Sequence, residues 1–227
     1  MHLSIDQRVR ENFPKLNVLT IVIEDLKIKN EDPHLKSLRE EIVREIRSKY
    51  EVKSLKDLPS IRAYRDFFWK IKVDPTKNRP AAEALIRRIL LGNELPKINT
   101  FVDALNLASI RSEVAIASFN IDKIVGEPIL RYAIKGEEFY GIGMKNPIVL
   151  HGTEIVIADS DGVIAIYPYR DSERTKVTES ARNVLLVFCG VPGLAQESLL
   201  EARSITVNLI ITFCGGKVAA GEEHVAI

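Results

Sequence analysis

The sequence predicts an α+β protein in which mainly antiparallel sheet layers are flanked by helices. Three observations predict it. Helical periodicity dominates residues 33–112 after a single early strand, six short strand candidates crowd residues 114–190, and a long helix closes the chain. Closely spaced strands with tight turns between them imply antiparallel pairing.

Residues 17–25, NVLTIVIED, read as a buried strand because β-branched residues fill them. After Asp32 and Pro33, HLKSLREEIVREIRSKY repeats Leu35, Leu38, Ile42, Val43 and Ile46 at helical spacing, which makes an amphipathic helix with a solvated charged face. SLKDLPSIRAYRDFFWKI is a second helical stretch, interrupted by Pro59, whose aromatics are core anchors. DPTKNRP, residues 74–80, is a turn or linker. Pro80 then opens the helix AAEALIRRILLG, which Gly92 stops. In LPKINTFVDALNLASIRS, Asn99 or Thr100 caps a helix that turns Val102, Leu105 and Ala108 inward.

Strands are expected near 114–119, 129–134, 147–150, 154–159, 163–169 and 184–190, with turn signals VGEP, KGEE, HGT and DSDG between most of them. LAQESLLEARSITVNLIITFCGG forms the last helix, begun after Pro192 and Gly193 and ended by two glycines. The expected organisation is an N-terminal strand and helices, residues 1–74, packed on a core of residues 75–227.

Composition bounds the function. The chain has 227 residues, 46% hydrophobic and 28% charged, enough for a full core. A net charge of +1 excludes a general nucleic-acid coat and leaves room only for a local basic patch. Cys189 and Cys214 lie far apart and the four histidines form no ligand-spaced pair, so neither metal nor cofactor is expected. The N-terminus lacks the apolar core of a signal peptide and no run is long enough to span a membrane, so cytoplasm is the expected location.

Four stretches bear on chemistry. DSDG, residues 159–162, lacks the further oxygen ligands of a calcium loop and sits between two strand candidates, so it is a hairpin turn. In KGEEFYGIG, no strand-then-helix context supports a phosphate loop, and Gly141 and Gly143 permit a close approach of backbone. In RPAAEALIRR, Glu83 and Arg87 have the favourable order for an exposed helical pair, while Arg79, Arg87 and Arg88 offer guanidinium groups for phosphate or carboxylate. On the next helix Asp103 and Asn106 share a face, either bracing the fold or lining a pocket. YPYRDSERTKVTESARN packs Arg170, Asp171, Glu173, Arg174 and Lys176 into seven positions, which is either a solvated turn or the rim of a polar site.

RPAAEALIRRIL, LPKINTFVDALNLAS, FNIDKIVGE, RYAIKGEEF, IVIADSDGVIA and YRDSERTKVTESARNVLL together resemble the B3/B4 editing module of the phenylalanyl-tRNA synthetase β subunit, in a free-standing form. The resemblance covers roughly residues 75–192. It implies hydrolysis of an amino acid wrongly esterified to a tRNA, with the 3′ end of aminoacyl-tRNA as partner and a cleft between the INTFVDALN helix and the 159–176 strand and loop. Within that resemblance Glu173 matches the glutamate that recognises a tyrosine hydroxyl, Asn99 and Thr100 fall among pocket polar groups, and Ala117 stands where many synthetases carry histidine. The implied substrate-binding set is Asn99, Thr100, Asp103, Asn106, Ala117, Arg170, Asp171, Glu173 and Lys176, with Arg87, Arg88 and Arg174 for RNA.

No serine, histidine and acid arrangement is evident, so no catalytic residue is assigned. An activated ester needs little more than orientation, a water and oxyanion stabilisation, to which a terminal ribose hydroxyl could contribute. The alternatives are a non-catalytic module binding an amino acid or a tRNA end, and a small-molecule enzyme that has reused the cleft.

Overall fold

A computed structural model describes residues 1–219 and the backbone of 224–226. The expected core segment of 75–227 therefore ends partly outside the described residues. Helices and strands alternate unevenly, as an α+β protein requires. In order they are β1 Ser4–Ile5, α1 Gln7–Asn12, β2 Val18–Glu24, α2 Pro33–Lys49, α3 Pro59–Lys70, α4 Ala81–Leu90 and α5 Thr100–Ser112. Then follow β3 Ile116–Asn120, β4 Ile129–Tyr132, β5 Glu138–Phe139, β6 Ile148–Val149, β7 Ile155–Asp159, β8 Gly162–Ile166, β9 Arg170–Asp171 and β10 Val184–Cys189. Helix α6 Gln196–Cys214 and the strands β11 Lys217–Val218 and β12 His224–Ala226 complete the series.

Two sheets carry the architecture. The first runs β1-β4-β7-β8-β9 and is antiparallel except where β1 lies parallel to β4. The second runs β11-β2-β10-β3, with β12 also on β2, and is antiparallel throughout. Strands β2 and β10 are buried along nearly their whole length, which is why both read as continuous apolar runs rather than alternations. Helix α6 packs on this sheet and on α5. Leu19, Ile21 and Ile23 of β2 belong to the same apolar cluster as Leu186 and Phe188, so the first 74 residues and the remainder share one core.

The sheets meet edge to edge. Strand β9 is one margin of the first sheet and β3 one margin of the second, and they touch. Exposed strand edges carry unpaired donors and acceptors that a fold must satisfy. Here Asn120 N donates to Thr175 O at 2.9 Å, and Ser118 N donates to a side chain, Asp171 Oδ2, at 3.1 Å. A carboxylate thus takes the place of a strand carbonyl, and the backbones stand apart at that point.

Local signals explain most boundaries. Asp32 caps α2 with Pro33 behind it, and Asn99 rather than Thr100 caps α5 by accepting from Val102 N. Pro59 begins α3 rather than breaking it. The DSDG hairpin forms as expected, with Asp159 Oδ1 accepting from Asp161 N. The strand expected over 163–169 stops at Ile166, and the chain turns through Tyr167–Tyr169 before β9. Trp69 departs from its expected core role: it is 55% exposed, while Tyr64, Phe67 and Phe68 are buried.

The Tyr64 hydroxyl ties three segments together. It donates to Cys189 O at 2.6 Å and accepts from Ala115 N at 3.0 Å, all within the core. Tyr64→Phe leaves both backbone groups unsatisfied and is expected to cost about 1–3 kcal/mol, read from urea unfolding at unchanged m-value.

Candidate active site

At the junction of the two sheets lies a cavity of about 290 Å3. Its walls come from distant parts of the chain: Ile116 and Ala117 on β3, Ile157 on β7, Ala165 and Ile166 on β8, and Cys189 at the end of β10. The turn Tyr167–Tyr169, with Arg170 and Asp171, forms one side, and Ile142 and Ala81 close the mouth. The volume is at the small end of ligand sites and suits one amino-acid-sized group.

Asp171 is the acidic residue of this lining. Oδ2 is held by the Ser118 N–H, while Oδ1 makes no hydrogen bond among the described residues. The residue keeps partial access, toward the cavity that it lines. Burial among apolar walls pushes its carboxyl up to about 7, opposed only in part by the Ser118 hydrogen bond. A carboxyl in that range exchanges protons near neutrality. Cys189 behaves oppositely as a chemical candidate: burial and the nearby Asp171 charge raise its thiol far above the usual range, so it is not a thiolate nucleophile. Tyr167 is likewise kept protonated by burial and donates to Gly190 O at 2.5 Å.

Arg170 stands at the mouth with its NH1 on Ile142 O at 3.2 Å. Gly141 makes room for it, since a Cβ there would lie 2.5 Å from Arg170 Cδ and 2.8 Å from Phe139 Cε1. The close approach permitted at Gly141 is therefore used by an arginine stem. Gly141→Ala is expected to swing Arg170 out of register, seen as loss of any phosphate-dependent binding at the mouth with folding retained.

Beyond the mouth, a second depression of about 470 Å3 shares Ala81, Tyr169 and Arg170 with the cavity. Lys77, Arg79, Arg87, Arg88 and Arg170 line it and no carboxylate does. The sequence places Glu83 beside Arg87 as an exposed pair, but the structure turns Glu83 inward, where it is 4% exposed and accepts from Arg65 NH1 at 2.8 and 3.2 Å. Arg79 lies 4.0 Å from Glu83, so it is the guanidinium upstream, not Arg87, that shares this acid. Arg87 thereby stays available to the groove.

The other residues named from sequence divide. Ala117, Arg170 and Asp171 converge on the cavity. Asn99 is spent on capping α5, and Thr100 bridges Lys29: its N donates to Lys29 O at 2.8 Å and its Oγ1 accepts from Lys29 N at 3.0 Å. Asp103 forms a buried ion pair with Arg39 and accepts from Ile98 N at 3.1 Å, so it braces α5 against α2. Asn106 is half-buried on α5 and is not part of the cavity wall. Glu173 and Lys176 pair with each other and are not part of the cavity wall, and Arg174 is tied to Asp159 Oδ1 at 2.6 Å and Lys123 O at 2.8 Å. Ile116, Ile142, Ile157, Ala165, Ile166 and Cys189 were not anticipated as walls. Strand alternation marks Ile157 and Ala165 as facing the larger core, but an inward face reads the same whether a core or a cavity lies behind it, and Ile142 lies on an exposed turn that no strand pattern covers.

Among the described residues no group of three or more His, Cys, Asp or Glu side chains is gathered as a metal site would need, and no helix is long and apolar enough to cross a membrane.

Residues 63–215 match the B3/4 domain family. The chain belongs to that family. It is similar to part of the phenylalanine–tRNA ligase β subunit, as two relatives illustrate. The phenylalanine–tRNA ligase β subunit of Mycoplasma genitalium is 28% identical over 121 residues, 52% of this chain and 15% of that protein. That of Psychrobacter arcticus is 32% identical over 97 residues, 43% of this chain and 12% of that protein. The B3/4 chain thus spans only a small part of these relatives. The crystal structure of an N-terminal fragment of the phenylalanyl-tRNA synthetase β subunit from Pyrococcus horikoshii superposes with a TM-score of 0.51 at 17% identity, covering 99% of this chain and 54% of that one. That likeness fixes the fold and nothing finer.

Proposed function

We propose that this B3/4 protein is an aminoacyl-tRNA deacylase: it admits the amino acid of a mischarged tRNA into the cavity and hydrolyses its ester. One observation carries the reading. A carboxyl poised near neutrality lies in an amino-acid-sized cavity walled mainly by isoleucine, alanine and tyrosine, whose mouth opens onto a groove lined by cations and no acids.

The chemistry follows from that arrangement. Asp171 Oδ1, as carboxylate, takes a proton from a water molecule whose oxygen attacks the ester carbonyl carbon. The tetrahedral intermediate expels the terminal ribose oxygen, which takes up a proton, releasing free amino acid and deacylated tRNA. Antiparallel alternation directs the Ile116 N–H to the same strand edge as the Ser118 N–H, where it can meet the oxyanion. Arg170 and the groove beyond it hold the terminal phosphates.

Selection is by fit. Isoleucine and alanine walls, with Ala117 among them, favour an apolar or aromatic side chain by volume; Glu173, engaged with Lys176, is assigned to the rim. A panel of mischarged tRNAs is expected to show hydrolysis of a subset well above the buffer rate. Hydrolysis of none would overturn the reading.

A further inference from the structure

Helix α2 lies outside the residues that match the B3/4 family, yet it continues the surface that leaves the cavity mouth. The cationic groove beside α4 reaches Asn93, just past that helix's C-terminus, and Asn93 also lines a further depression of about 490 Å3 between α2 and the segment following α4. Lys36, Arg39, Arg44, Arg47 and Lys97 line the depression beside α2 against two acids, Glu40 and Glu94. One of these acids is neutralised locally, because Glu94 pairs with Lys97 at 3.5 Å. The two acids on the neighbouring face of α2, Glu41 and Glu45, are drawn away by Arg111, at 3.2 and 3.6 Å.

Several of the cations have no structural duty. Lys36, Arg44, Lys77 and Arg87 form no ion pair among the described residues, whereas Arg39 is committed to Asp103 and Arg47 to Ile89 O. Helix α4 has ten residues and is therefore about 15 Å long, so the track extends well beyond what one terminal nucleotide would occupy. In a chain of net charge +1, cations concentrated along one connected path imply a partner with phosphates spaced along it.

We propose that the α2 face, through Lys36 and Arg44, binds the phosphate backbone of the tRNA acceptor arm leading away from the cavity, so that α2 measures an RNA longer than its terminal nucleotides. This rests on the deacylase reading for the direction of the RNA, but its test does not use hydrolysis.

The experiment measures dissociation constants of the full chain for uncharged tRNA and for a trinucleotide CCA across a salt series. The variants are Lys36→Glu combined with Arg44→Glu, and separately Glu40→Lys. The double reversal is expected to weaken tRNA binding at least about tenfold and to lower the slope of log affinity against log salt by roughly 1.5–2, two phosphate contacts' worth. CCA affinity is expected to fall far less, and Glu40→Lys to tighten tRNA. Unchanged tRNA affinity and slope in the double variant, or an equal loss for CCA and tRNA, overturns the proposal. Binding that responds as expected in a protein that hydrolyses no ester would retain this inference and remove the deacylase.

Discussion

Asp171→Asn is expected to slow ester hydrolysis by about 100-fold or more, the usual worth of a positioned general base, with little change in affinity for the deacylated tRNA end. Asparagine keeps an oxygen for the Ser118 N–H and nearly the same volume, so the junction of β3 and β9 survives. The same variant should alter how stability depends on pH. The folded carboxyl titrates at about 7 and an unfolded aspartate at about 4. Between those values the folded state holds a proton that the unfolded state has lost, so the parent's stability falls as pH rises from about 4 to about 7 and levels off above. Partial access to the cavity reduces the effect, which is expected to be about 1–3 kcal/mol. Urea unfolding at pH 5 and pH 8 should show this fall in the parent and not in Asp171→Asn, which becomes the more stable protein at pH 8. Activity should rise over the range in which stability falls, because the ionised carboxyl is the base. The cost of ionising Asp171 in an apolar setting and its use as a base have one origin.

Asp103→Ala is expected to destabilise the fold by about 3–5 kcal/mol, among the largest single-residue effects in the molecule. Its carboxylate pairs with Arg39 under heavy burial, with side-chain exposures of 8% and 13%, and also satisfies Ile98 N. Removing it strands a guanidinium between α2 and α5. Replacing both partners, Arg39→Met with Asp103→Leu, should recover much of the loss, since an apolar pair incurs no such desolvation. Equilibrium unfolding of the two singles and the double gives the coupling directly. An Asp103→Ala protein examined below its lowered midpoint should retain its preference among aminoacyl esters. A changed preference at unchanged stability would instead place Asp103 against substrate.

The long helices and the buried strands β2 and β10 were legible because hydrophobic period and length both mark them. Strand β1 and helix α1, two and six residues long, are too short to display a period. Helix grammar placed Glu83 on an exposed face because it compares neighbours on one helix, and Arg65, which claims that acid, sits on another. Asn99 and Thr100 looked like pocket groups from order along the chain, but their partners, Val102 N and the Lys29 backbone, account for them as braces. The cluster at 170–176 was legible as charged. Which of its members faces inward depends on β9 meeting β3 edge to edge, a contact between strands about 50 residues apart that no local pattern encodes.

In the proposed reaction the cavity lined by Asp171 receives the aminoacyl group. The decisive experiment is calorimetric titration of a non-hydrolysable aminoacyl-adenosine amide into the parent and into Ala117→Leu. The larger side chain projects from β3 into the cavity, so saturable one-to-one binding in the parent and at least about a tenfold loss in the variant are predicted. Equal affinity in both proteins would place the ligand elsewhere and rule out this cavity as the aminoacyl site.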